Sequence, residues 1–182
     1  PAVKLPKSGG TFLDPTFGSH TLLLAYAADG PENQNAYSYW PSFNKDATRF
    51  FICSSGRAML YRFDAERFRI LGKEPLFPER PPEGGWPGWE DAIWSGTSPD
   101  LLFCHSGLKL WAYNVQTRQY VLVRDFTAEL STGHLRQMSK SQADRVFGFT
   151  RQDAKYAVVG YLVWDRQTDR LLLNERTRQL DE

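Results

Sequence analysis

Short apolar runs grouped in fours, broken by turn residues and repeated at a fixed spacing, predict an all-β chain. The units would be four-stranded antiparallel sheets set side by side as propeller blades. Three observations carry this expectation. Between Glu90 and Asp125 lie four runs, at 91–94, 101–104, 108–113 and 120–123, each too short for a helix and rich in aromatic and β-branched residues. The gaps are turn formers: Ser95-Gly96-Thr97-Ser98-Pro99-Asp100, His105-Ser106-Gly107, and 114–119 with Asn114 at its head. The polar residues closing the third run of each unit, Asp64, Asn114 and Asp165, stand 50 and 51 positions apart. The competing arrangement is a β-sandwich, the same strands in two facing layers.

Taken in order, residues 1–36 form an N-terminal arm and a closing strand. The first 20 are rich in Pro, Gly and Lys. Residues 21–26 read as a strand that would serve as an outer strand of the last blade, and Asp29-Gly30-Pro31 marks a loop. Three blades are expected within 37–175, at about 37–71, 90–125 and 133–175. Blade one runs through 40–44, the turn Lys45-Asp46-Ala47-Thr48, 49–53, the hairpin Ser54-Ser55-Gly56, and 58–63. Residues 72–89 hold five prolines and four glycines, which disfavour a central strand or a helix. A loop this long in a compact domain is often functional. Its Trp86 and Trp89 either cover blade packing or line a ligand groove. Blade three uses 135–138, a turn through Asp144, 145–149, a longer hairpin and 157–164, followed by the turn 165–169. Residues 176–182 are a charged tail, and no helix of consequence is expected.

The repeat also assigns roles. Asp64, Asn114 and Asp165 are turn caps by their equivalent positions, not a catalytic set. Phe63, Tyr113 and Trp164, each one residue earlier, are blade-to-blade packing. Cys53 and Cys104, 51 apart at one repeat position, are expected to be two small buried hydrophobes. A disulfide would need Cα atoms within about 7 Å, whereas stacked sheets lie about 10 Å apart.

Composition sets bounds. At 182 residues, with 41% hydrophobic and 14% aromatic content, the chain can bury a sizeable core. Charge is balanced, 22 basic against 21 acidic residues, with no basic stripe for nucleic acid. No apolar run is long enough for a membrane-spanning helix. Three units are too few to close a ring of at least about four blades. The expectation is part of a larger propeller, its remaining blades in the parent chain or another subunit. A four-bladed ring completed by the N-terminal segment is the alternative.

Residues 41–51, Pro-Ser-Phe-Asn-Lys-Asp-Ala-Thr-Arg-Phe-Phe, followed by Leu60-Tyr61-Arg62-Phe63-Asp64, resemble the P-x-F-S-P-D-G … L-Y-x-x-D repeat of TolB-type, WD40-like propellers. Propeller-fold polysaccharide lyases such as the oligogalacturonate lyases are similar in architecture. The match covers about 37–175. Ala47 stands where the repeat has Gly, blade two keeps Ser98-Pro99-Asp100 without the Gly, and blade three keeps mainly the hydrophobic pattern. The resemblance implies an extracellular or periplasmic protein whose blades each line a central channel with their first strand.

On that implied geometry, Phe43, Trp94 and Met138 align, and the residues ahead of them gather at the funnel. The expected site is Tyr37, Tyr39, Trp40, Glu90, Asp91, His134, Arg136 and Gln137, with Trp86 and Trp89 from the long loop. The leading expectation is a binding module for an extended ligand, carbohydrate or peptide. The alternatives are a lyase acting by β-elimination on uronic-acid glycans and a protein-interaction scaffold. In the lyase, Arg136 would neutralise the uronate carboxylate and His134 or Tyr39 would move protons. His105 is expected in a turn away from the funnel, and His20 near it. Three His without paired-ligand spacing do not make a zinc site within this chain. The resemblance implies that funnel His could join ligands from other blades. No phosphate loop or Gly-x-Ser-x-Gly elbow is present.

Overall fold

A computed structural model of the chain describes residues 4–24, 32–35, 40–54, 56–83, 85, 87 and 90–176. A two-stranded hairpin comes first, β1 (Thr11–Leu13) with β2 (His20–Leu22). Three four-stranded antiparallel sheets follow. Blade one is β3 (Asn33–Asn35), β4 (Arg49–Ser54), β5 (Arg57–Asp64) and β6 (Arg69–Pro75). Blade two is β7 (Ile93–Trp94), β8 (Leu101–Ser106), β9 (Lys109–Asn114) and β10 (Gln119–Asp125), and a one-turn helix, α1 (Thr127–Leu130), leads out of it. Blade three is β11 (His134–Lys140), β12 (Val146–Gln152), β13 (Val158–Asp165) and β14 (Arg170–Arg176).

The third and fourth strands of every blade are joined by one turn, built three times. Oδ1 of Asp64 accepts the Arg67 N–H at 3.0 Å. That of Asn114 accepts from Gln116 and Thr117 at 2.9 and 3.0 Å, and that of Asp165 from Gln167 and Thr168 at 2.9 and 3.4 Å. Four residues past each cap, Phe68, Arg118 and Asp169 take φ of 49°, 59° and 53°. The recurring polar residues are therefore turn caps, as their spacing predicts.

Packing decides between propeller and sandwich. Alternate side chains of blade two enter two different cores. Leu102, Cys104, Trp111 and Tyr113 pack with Phe51, Leu60, Leu76 and Phe77 of blade one. From the opposite face, Ile93, Phe103 and Leu110 pack with Leu135, Met138, Phe147, Phe149, Leu162 and Trp164 of blade three. A sheet buried on both faces between two others is the middle of a stack, not half of a two-layer sandwich. Tyr113 and Trp164 each face the preceding blade. Phe63 lies in a third core on blade one's other face, with Leu22 and Leu24 of the N-terminal segment against it. Cys53 and Cys104 are free thiols, both buried.

The leading edges are tied together. Trp94 Nε1–H donates to the Ser42 carbonyl at 2.8 Å, and Trp40 Nε1–H donates to the Met138 carbonyl at 2.6 Å. The first turns interlock as well. Asn44 donates to the Pro99 carbonyl at 2.9 Å and Arg49 pairs with Asp100 at 2.9 Å. Asp144 of blade three accepts from Ser95 Oγ at 2.5 Å, Gly96 N–H at 3.0 Å and Thr97 Oγ1 at 2.8 Å, and from its own Lys140 at 2.5 Å.

Four elements differ from the sequence reading. The run 40–44 is not a continuous strand. Phe43 makes a single bridge to Phe50, while β3 pairs with the far end of β4 at Ile52–Ser54. Pro41 lacks the N–H and the free φ that a continuous inner strand would need. The expected strand at 21–26 contributes β2, which pairs with β1 in a hairpin of its own and joins no blade among the described residues. The fourth strand of blade one runs on to Pro75, whose missing N–H is tolerated on an edge strand. The linker after blade two holds α1, which buries Leu130.

Candidate functional site

Antiparallel pairing puts the starts of the leading strands and the turn between the second and third strands at one end of each blade, here called the upper end. At the upper end of the seam between blades two and three lies a connected set of charged side chains. Asp91, just ahead of β7, is buried, and its Oδ2 meets His105 Nε2 at 3.0 Å. The same oxygen accepts the Gln137 N–H at 2.9 Å and has Arg136 Nε at 3.7 Å. Burial works against the Asp91 charge, but the His105 contact, the Gln137 N–H and Arg136 outweigh it and hold the pKa below the usual carboxylate range. An ionised Asp91 can only accept, so the proton between the two belongs to His105 Nε2.

The Gln137 contact depends on an irregularity in β11. The register shifts between Arg136 and Ser139, and Gln137 takes φ 47°. Such a bulge removes one N–H from the ladder and re-aims it, here onto Asp91. Bulges of this kind gather at functional sites. Arg136 extends outward to Glu90 Oε2 at 2.9 Å. Beside it the His134 ring lies nearly parallel to Tyr156, centroids 6.1 Å apart at 15°. Tyr156 is 70% exposed and also left-handed, at φ 64°.

Two cavities meet along β11. The upper cleft, about 640 Å³, wraps the Ser106-Gly107 hairpin and is lined by His105, Lys109, Trp111, His134, Arg136 and Tyr156. Lys109 there is held by Glu83 and, at 3.3 Å, by Asp125. The inner hollow, about 540 Å³, lies along the leading edges and is lined by Trp40, Ile93, Trp94, Gln137, Ser139 and Lys140. Residues 134–136 of β11 border the first and 137–140 the second.

Of the expected site residues, Glu90, Asp91, His134 and Arg136 thus come together at the upper end, and Trp40 and Gln137 face the hollow. Tyr37, Tyr39, Trp86 and Trp89 lie outside the described residues. Two His differ from expectation. His105 belongs to β8, not to a turn, and is buried against Asp91. The signal was the alternation along β8, which places His105 on the face of Phe103, toward blade three. His20 sits in β2 with its ring 6.2 Å from Phe68, in the turn between the third and fourth strands and therefore at the lower end, away from the funnel. Among the described residues no three His, Cys, Asp or Glu converge as a metal site.

This arrangement offers planar rings, a guanidinium and a buried Asp–His pair to whatever occupies the cleft. Rings stack on sugar or peptide faces, and the guanidinium forks onto carboxylate. A His whose Nε2–H is fixed by a carboxylate keeps its other nitrogen for proton exchange.

No family model matches the chain. No curated protein matches it either. Among solved structures it is similar to an oligogalacturonate lyase from Vibrio parahaemolyticus, with a TM-score of 0.59 at 11% identity over 90% of this chain. The chain spans 46% of the length of that protein. Similarity at this identity establishes the β-propeller fold.

Proposed function

We propose that the chain is the ligand-binding part of a β-propeller and holds an extended ligand, carbohydrate or peptide, along the upper and inner edges of blades one to three. One observation carries this reading. β11 borders both cavities, with the His134–Tyr156 rings and Arg136 along the upper cleft and Gln137 with Trp40 along the inner hollow. Seven residues of strand span about 20 Å, room for several units of an extended polymer. The repeat similarity at 41–64 supports a TolB-like propeller, completed by further blades from the parent chain or a second subunit.

The test is calorimetric titration with oligogalacturonate, alginate and ulvan fragments, neutral oligosaccharides and extended peptides. The reading expects saturable binding of one class, weakened by His134→Ala and by Arg136→Ala. Absence of binding across the panel would leave the interaction-scaffold alternative standing in its place.

A second reading rests on the Asp91–His105 pair beside Arg136. In β-elimination a uronate carboxylate would be neutralised by Arg136, and a base such as His134 would take the proton α to it. That electron pair forms the new double bond as the bond to the glycosidic oxygen breaks, and the oxygen takes up a proton. An ultraviolet-absorbing unsaturated product from any uronic-acid polymer would establish it. Binding without such a product would count against it.

A further inference from the structure

Among the described residues two Lys or Arg side chains line the upper cleft, Lys109 and Arg136, and each is already held by two carboxylates. Arg136 meets Glu90 at 2.9 Å and Asp91 at 3.7 Å. Lys109 meets Glu83, itself on the cleft wall, and Asp125 at 3.3 Å. Asp91 has no room to swing aside, because it is buried with Oδ2 fixed by His105 and the Gln137 N–H. A ligand carboxylate arriving at Arg136 would share the guanidinium with Glu90 and Asp91 and stand beside their charges. Such a like-charge contact weakens binding. At Lys109 it would meet Glu83 and Asp125 in the same way. Elimination on a uronate would need Arg136 released from both partners.

A neutral hydroxylated ring meets no such repulsion. A hydroxyl both donates and accepts, and a guanidinium has more N–H donors than these contacts use. Two neighbouring hydroxyls therefore span an ion pair, one donating to the carboxylate and the other accepting from the cation. Arg136–Glu90 and Lys109–Glu83 each present that pairing, and both glutamates are half-exposed and open to a donor. In one peptide unit the N–H and C=O point opposite ways, so it does not close on both members of an ion pair as a diol does. Tyr156, on the same cleft beside His134 and 70% exposed, offers its ring to the apolar C–H face of a pyranose. We propose that the upper cleft takes an uncharged saccharide, gripped through neighbouring hydroxyls by the Arg136–Glu90 and Lys109–Glu83 pairs, and discriminates against uronates. This rests on the ligand-binding reading above and narrows it to one class.

The experiment is calorimetry at pH 7 and fixed ionic strength with matched pairs of titrants. Each pair is a neutral galactan, mannan or glucan oligosaccharide and its counterpart oxidised to the uronate at C6; an extended peptide is titrated separately. The neutral member of at least one pair should bind saturably, and its uronate at least about tenfold more weakly. Glu90→Gln keeps an acceptor oxygen but removes a carboxylate from Arg136, and should shift the ratio about tenfold toward the uronate. Tyr156→Ala should weaken the neutral member. A uronate that binds as tightly as its neutral counterpart would overturn the proposal and leave the ligand-binding reading standing. So would a ratio unmoved by Glu90→Gln, or binding of the peptide alone. Absence of binding by every titrant would remove both.

Discussion

Replacing Asp144 by Asn keeps the shape of the side chain and removes the charge on which blades two and three are clamped. Burial opposes that charge. The bonds from Lys140, Ser95, the Gly96 N–H and Thr97 outweigh burial and bring the pKa from 3.8 to about 2. At about 1.4 kcal/mol per pKa unit, the ionised form contributes about 2 kcal/mol to folding. The substitution also strands Lys140, whose side chain is 5% exposed. Breaking a buried pair from one side typically costs about 3–5 kcal/mol in all, and that is the loss expected at pH 7. The pH dependence has a fixed sign. A depressed carboxylate contributes fully above its unfolded pKa, near 4, and the contribution is lost as pH falls through about 2. Urea unfolding of both proteins at pH 7 and through that acid range measures the effect. The gap between them should be widest at neutral pH and should narrow between pH 4 and 2. Adding Lys140→Met to Asp144→Asn should recover part of the loss, because no charge is then left buried alone. A loss below about 1 kcal/mol at pH 7, within the range of ordinary substitutions, would refute the clamp. So would a gap that does not change with pH.

Other expectations follow from the same geometry. Ala47 sits at φ 56°, so Ala47→Gly should raise stability by about 0.5–1 kcal/mol, read as a higher Tm, once relief of left-handed strain is set against the flexibility Gly adds to the unfolded chain. Phe103→Ala opens a cavity between blades two and three, where Phe103 meets Phe147 at 5.0 Å between ring centroids, and should cost about 3–5 kcal/mol in chemical denaturation. Burial pushes both the Cys53 and Cys104 thiols up. A thiol reagent at pH 8 should therefore leave the native protein unlabelled and react with both after unfolding; fast labelling of Cys104 in the native state would contradict its place in the core.

How much of this was legible in the sequence depends on range. The caps at Asp64, Asn114 and Asp165 were readable because an Asx turn is a local device whose residue type and spacing are both needed. The packing role of Tyr113 and Trp164 followed from the same repeat. The break at Pro41 was visible as a residue, but that β3 would take over the far end of β4 is a long-range pairing that no local pattern encodes. His105 reads as a turn residue from the Ser106-Gly107 signal beside it, whereas the turn is tight and β8 continues through Ser106. The bulge at Gln137 lacks the Gly that usually announces left-handed backbone, so its N–H on Asp91 had no sequence signal. Arg136, Glu90 and Asp91 were found together because equivalent positions in neighbouring blades converge by construction.

The leading edges of the three blades meet around one hollow, with the Trp40 indole reaching from blade one to the Met138 carbonyl of blade three. Proton–proton contacts in a ¹⁵N-edited NOESY spectrum measure this directly. The predicted result is a contact from the Trp40 indole N–H proton to the Ser139 amide region, with slow solvent exchange of that indole proton. A freely exchanging Trp40 indole with contacts only to blade one would contradict the arrangement, and with it the proposed placing of a ligand along β11.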